Sequence, residues 1–329
     1  MRTGADQTGT ESEKKGMGIL YKLAYNRLYS LSLTVVLLVI ASCFLWPKTF
    51  ANAGNMRAIF LNMSFDAIVS AGMMLLMISG AFDLSVGSVL GATAGFTSLL
   101  LLRGYPVVLT IFLGLCVAAS FGLINGLIIT KIGVNPMITT LAMMSIARGF
   151  MLLINNDALA LPDSFLVIGQ SRFLTIQLPF WFALFVVIVF SILVSKFSFF
   201  HRYYYIGGNE KAARLSGIPV DRMKIIAFVL SAVLAGSAGI LLTARMGGSM
   251  ITYGQGMEMR VITASILGGA SLKGGVGVIP GAFLGTIFMA LLSNLMIIAK
   301  VSVYWQQIII GIILLIAVSV DVLLKKQAE

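Results

Sequence analysis

Ten stretches of this chain are apolar enough to be candidate membrane crossings: 28–46, 58–81, 84–102, 106–130, 136–154, 179–196, 225–244, 259–272, 279–299 and 304–323. A crossing helix needs about 20 mostly apolar residues. Hydrophobic residues make up 59% of the chain and charged ones 11%, against about 25% charged in an ordinary soluble domain. No soluble core hides that much apolar surface, so the surplus must face lipid. The runs are continuous rather than alternating with period two, which favours helices over a β-barrel. The expected fold is an all-α polytopic membrane protein. The eighth stretch is short and Gly-rich and reads as broken or re-entrant. The third is poorly separated from the second, so nine to eleven crossings stay open.

The net charge of +11 does not imply a nucleic-acid partner. The positive residues sit at the ends of apolar runs, where they orient a chain in the bilayer. With a cytoplasmic N-terminus, fifteen of the 23 Lys and Arg residues fall on the inner side. Both termini and the 197–224 loop are then cytoplasmic. Residues 1–27 read as a cytoplasmic tail, 28–324 as the transmembrane domain and 325–329 as a short inner tail. The first apolar run is too long and too late for a cleavable signal peptide. Cys43 and Cys116 lie in separate runs without ligand spacing and read as small buried hydrophobes. His201 has no partner pattern and reads as a surface residue. Trp46, Trp181 and Trp305 fall near outer ends of crossings, as interfacial aromatics do.

The 197–224 loop holds a polar knob, "GGNEKAARLSGIP". Asn209 can cap a helix whose first residue, Glu210, favours the positive end of the helix dipole. Gly217 can take the left-handed conformation after the last turn, and Pro219 prevents resumption. A helix of about two turns is unstable alone and must pack on something. Gly208 lies just before the cap, and Ala212, Ala213 and Leu215 give the helix a small apolar face. An ordinary surface helix between crossings has the same features.

Four blocks, in order, resemble the permease subunits of ABC importers, in the branch handling ribose, arabinose, galactose and related monosaccharides. The knob matches that family's coupling element at Gly207 or Gly208, Asn209, Ala212, Ala213, Gly217 and Ile218. "FDLSVGS" (82–88) resembles its Ile-Asp-Leu-Ser-Val-Gly-Ser signature, with Phe82 in the usual Ile place. "GLINGLIITKIGVNPMITTLAMMSIARG" (122–149) and "ILGGASLKGGVG" (266–277) resemble two further blocks, and the likeness runs from about residue 30 to the end. The resemblance implies a bacterial inner-membrane subunit with no catalytic site. It would work beside a second permease chain and couple through Gly208–Gly217 to a separate ATPase that holds ATP-Mg. Sugar would come from a periplasmic binding protein docking on outer loops, chiefly 155–178 and 245–257. The residues agree on one point: no G-x-x-x-x-G-K-[ST] phosphate loop occurs, and Lys273 in "GGASLKGG" lacks both the following Ser or Thr and the spacing.

Ionisable groups inside a bilayer cost about 2.5 kcal/mol or more on insertion scales, so each one asks for a reason. Asn62, Asp66 and Ser70 recur every four residues and share a helix face, either lining a watery path or bonding between helices. Asp83 can cap the third segment through the N–H groups near Ser85 and Val86, or mark a broken helix facing substrate. Arg148 can pair with Asp66 or snorkel outward. Asn125 and Asn294 are amides on Gly-rich helices that read as packing contacts or path residues. Gly122–Gly126 and Gly277–Gly281 read as packing glycines, and "VGSVLGA" (86–92) faintly echoes "VGVIPGA" (276–282) as duplicated halves would. The residues leave open an ion-gradient transporter relaying through Asp66, Asp83 and Arg148, or a membrane scaffold.

Overall fold

A computed structural model describes residues 27–154 and 160–326. The described residues form helices joined by short links: α1 (Arg27–Leu45), α2 (Ala53–Ile78), α3 (Val86–Leu102), α4 (Val107–Leu127), α5 (Pro136–Ile154), α6 (Asp163–Gln170), α7 (Leu178–Lys196), α8 (Ser198–Gly208), α9 (Glu210–Leu215), α10 (Val220–Met246), α11 (Met257–Leu267), α12 (Ile279–Ile298) and α13 (Val303–Lys326). A π-turn, Ile128–Ile132, extends α4 and ends at Gly133 in the left-handed conformation. Among the described residues eight helices are long and apolar enough to cross a membrane. The chain is an all-α multi-pass membrane protein.

The two doubtful stretches are now clear. The third is its own helix, α3, set off from α2 by the link 79–85. The eighth is α11, eleven residues long, about 16 Å at 1.5 Å per residue and too short to cross alone. The chain before it, 247–256, is exposed at Met250 and Ile251 but is not a simple surface loop. It turns back between the helices until Gly254 packs backbone to backbone on Gly87 of α3, and a side chain at either position would collide. Of the expected docking stretch 245–257, Met250 and Ile251 stay exposed while Tyr253 is buried. Residues 155–159 of the other expected docking loop, like most of the expected tails, lie outside the described residues.

The lipid-facing shell is apolar and the interior finely packed. Val36, Leu37, Val108, Phe112, Ile138, Leu153, Phe185, Ile192, Leu315 and Ile316 are all exposed, as a bilayer permits and water would not. The inner helix is α2, 83% buried over its apolar window. It packs against α10, α12, α7 and α11. Both glycines of the Gly122–Gly126 pair face α10, where a Cβ would strike the Phe228 carbonyl or the Ile225 backbone. Packing is therefore their role.

Opposite the knob, α6 lies on the end of α10. Gly169 abuts the Arg245 backbone, and Gln170 Nε2 donates to the Arg245 carbonyl at 3.1 Å. A two-residue hairpin follows, with Arg172 opposite Gln177 and Phe173 opposite Ile176. Trp181 Nε1 closes it by donating to the Phe173 carbonyl at 3.0 Å.

Candidate functional site

A polar chamber of about 570 Å³ opens among α2, α10, α11, α12, α13 and the turned-back segment. That lies within the range of about 300–1,000 Å³ usual for small-molecule sites. Its walls carry Asn62, Asp66, Arg245, Arg260, Asn294 and Gln307 among apolar residues. Asp66 accepts two hydrogen bonds from Arg260, Nε to Oδ2 at 3.1 Å and Nη2 to Oδ1 at 3.2 Å. Fork-on-fork geometry of this kind is the strong form of the pair. It also resolves the cost of charges at this depth, since each neutralises the other. Arg245 Nη1 reaches Asn62 Oδ1 at 3.5 Å. Asn294 and Asn55 exchange amide hydrogen bonds at 2.7 and 3.1 Å, joining α12 to α2. Thr252, Ser293 and Gln307 line the chamber and have no side-chain hydrogen bond among the described residues. They can meet a hydroxylated solute.

Of the six residues read as path candidates, Asn62, Asp66 and Asn294 line this chamber and the other three do not. Ser70, on the same helix face as Asp66, is buried and bonds the Ala67 carbonyl at 2.9 Å. Asp83 is fully buried. Its Oδ1 accepts from the Ser85 amide at 2.7 Å and the Ser85 hydroxyl at 2.6 Å, and Asn125 Nδ2 donates to Ser85 Oγ at 3.1 Å. Asp83 therefore shapes the entry to α3, and Asn125 ties it to α4. Arg148 does not meet Asp66. Its Nη1 donates to the Ile251 carbonyl at 3.2 Å and the Tyr253 carbonyl at 2.9 Å, satisfying backbone acceptors that the turned-back segment would otherwise leave bare. Arg260, the true partner of Asp66, was not singled out by the sequence reading. Its signal was a lone cation near the start of the shortest apolar run, facing a lone carboxylate elsewhere.

The knob forms as the spacing predicts. Asn209 Oδ1 accepts from the Ala212 amide at 3.0 Å. Gly217 holds φ +79°, a conformation that costs other residues about 1–2 kcal/mol. Glu210 pairs with Lys224 at 2.6 Å and Arg214 at 2.9 Å, and Arg214 reaches Asp221 at 2.6 Å. Burial pushes the Glu210 carboxyl up, but hydrogen bonds from Lys224 and Arg214 outweigh it and hold the group below its ordinary value. The apolar face divides: Ala213 is buried against the protein, whereas Ala212 is exposed and Leu215 is 90% exposed.

The helix before the knob is pinned on three sides. Tyr203 donates to the Met223 carbonyl of α10 at 3.0 Å, and Tyr204 to the Gly277 carbonyl at 2.7 Å. Gly207 touches the end of α2, where a Cβ would strike the Ile78 carbonyl oxygen. The Gly275 amide donates to that same oxygen at 2.9 Å, and Gly274 packs on Gly80. Thus the knob's root grips the end of α2, which carries Asp66, and the 268–278 link that follows α11, which carries Arg260.

Among the described residues no group of three His, Cys, Asp or Glu side chains could hold a metal. Residues 55–318 match the family described as branched-chain amino acid transport system / permease component. The chain is 37% identical over 297 residues to the L-arabinose transport system permease protein AraH of Escherichia coli, covering 88% of this chain and 89% of that one. It is 35% identical over 293 residues to the ribose import permease protein RbsC of Bacillus subtilis, covering 88% and 91%. It is 30% identical over 296 residues to the D-allose transport system permease protein AlsC of Escherichia coli, again covering 88% and 91%. No solved structure matches the chain significantly.

Proposed function

We propose how sugar crosses the membrane from the premise that this chain belongs to the branched-chain amino acid transport system / permease component family, as a permease of the ribose and arabinose branch of ABC sugar importers. The polar chamber is the station a monosaccharide, of the pentose class or close to it, occupies on its way inward. Thr252, Ser293, Gln307 and the outer edges of the Asp66–Arg260 pair meet its hydroxyls. Contact with it is loose, because tight binding midway would slow release.

The knob is the input. Its exposed Leu215 and Ala212 seat in a cleft of a separate ATPase, which holds ATP and Mg²⁺ and does all the hydrolysis. Closure of that ATPase moves α8, and through the Gly207 contact it moves the end of α2 together with the link that follows α11. Two permease chains act together, because an ATPase pair closes on two knobs. Both termini and the 197–224 loop face the cytoplasm across the bacterial inner membrane. A periplasmic binding protein docks on the opposite face, over α6 and the 172–177 hairpin. One observation carries this reading: the knob's root touches the two stretches of chain that end the helices holding Asp66 and Arg260.

The test is uptake of labelled L-arabinose and D-ribose by cells that express this chain with its ATPase and binding protein and no other importer. Uptake should cease when ATP is exhausted and continue when the ion gradient alone is collapsed. Uptake by the permease without any ATPase would overturn the reading in favour of an ion-driven carrier.

A further inference from the structure

We propose that the cavity beside the knob binds the anionic phosphate headgroup of a membrane lipid. The cavity, of about 630 Å³, is walled by Lys196, Ser198, His201, Arg202 and Tyr205 and closed by the 216–218 turn. Its charged walls are basic, and no acidic residue lines it. Of the other cations at this end of the molecule, Lys131 pairs with Asp221, Arg214 with Glu210 and Asp221, and Lys224 with Glu210, while Lys211 and Arg222 stand outside the cavity with no ion pair among the described residues. Lys196 and Arg202 have no ion-pair partner among the described residues. Two exposed cations therefore converge on a concave space without a counter-charge.

Its level in the bilayer favours a lipid. Lys196 is the last residue of a membrane-spanning helix, so the cavity mouth lies where a crossing ends and headgroups begin. Phe197, Phe199 and Tyr205 are exposed around it, Tyr205 by 64%. Amphipathic aromatics with basic neighbours are the pattern of a helix lying in the interface, and basic pockets at helix ends receive anionic headgroups. The Ser198 hydroxyl and the Tyr205 phenol add donors for phosphate oxygens. A bound lipid would lean on the 216–218 turn that holds the knob's pose, so membrane charge would bear on coupling.

The experiment counts lipids retained by the purified full-length chain after exchange from vesicles mixing phosphatidylglycerol with phosphatidylcholine. Wild type should keep phosphatidylglycerol selectively. Lys196→Gln with Arg202→Gln should weaken its retention roughly thirty-fold, about fivefold per basic side chain near a charged surface. The charge-preserving pair Lys196→Arg with Arg202→Lys should keep it, and Lys211→Gln, outside the cavity, should leave phosphatidylglycerol retention at the wild-type level. Equal retention by wild type and the Gln pair would overturn the proposal. Displacement of the lipid by millimolar inorganic phosphate would assign the site to free phosphate instead. Unchanged lipid retention with loss of the ATPase in the Gln pair would assign it to an acidic surface of that partner. The readout is lipid bound, not sugar moved, so it stands apart from the transport assay.

Discussion

Asp66 on α2 and Arg260 on α11 stand 194 residues apart in the chain and meet by two hydrogen bonds of 3.1 and 3.2 Å. The root of the knob touches the end of α2 and the 268–278 link that follows α11. The pair is a wall of the chamber and, in the proposed mechanism, the place where movement of the knob would be felt. In Asp66→Asn the guanidinium loses its counter-charge. Breaking a fully buried pair costs about 3–5 kcal/mol, and here roughly 1–3 kcal/mol is expected, because 28% of the Arg260 side chain stays exposed. Sugar flux should fall about tenfold with ATPase docking intact. Unchanged flux would return Asp66 to a packing role.

Gly217→Val should leave membrane insertion intact and abolish transport. A β-branched residue at φ +79° costs about 1–2 kcal/mol or more, and the turn that orients the knob relaxes. Normal uptake by this variant would refute the coupling role.

Leu215→Glu isolates docking from folding. At 90% exposure the substitution should change stability by less than about 0.5 kcal/mol, so the melting temperature should hold. Association with the ATPase, read by co-purification, should weaken at least tenfold, the effect of losing an interface anchor.

Gly207→Ala tests the joint itself. The added methyl would strike the Ile78 carbonyl oxygen, and forced overpacking costs about 1–3 kcal/mol. We expect a lower melting temperature and ATP hydrolysis that no longer responds to loaded binding protein. Wild-type coupling would place the force path elsewhere.

The Glu210 network carries a pH signature. Its carboxyl is held below the ordinary value in the folded protein, through Lys224 and Arg214 prevailing over burial. The stabilisation is therefore fully present above the unfolded carboxyl's range and is lost as pH falls through the folded value. Wild type and Glu210→Gln should differ in knob protection, read by hydrogen exchange at matched pH, near neutrality. The difference should vanish in acid. A gap that widened in acid would contradict the sign.

Much of this was legible in the residues. Continuous apolar runs announce crossings regardless of context, and Asn209, Gly217 and Pro219 mark a short helix because capping is local chemistry. Asp83 was equally local, its acceptor facing an amide two residues on. What escaped was non-local. Nothing near Asp66 indicates Arg260, and Arg148 offered itself as a partner from the wrong helix. The turned-back 247–256 segment was invisible because a stretch of small and polar residues between two apolar runs reads as a surface loop. Gly87 and Gly91 make room for it and Arg148 supplies donors to it, all far away in sequence.

Where Gly80, Gly207 and Gly274 meet, three main chains touch with no side chain between them. Such a joint has no cushion. A push on one strand of it reaches the others undiminished, so this corner behaves as a weld, and any bending the protein needs must happen farther out.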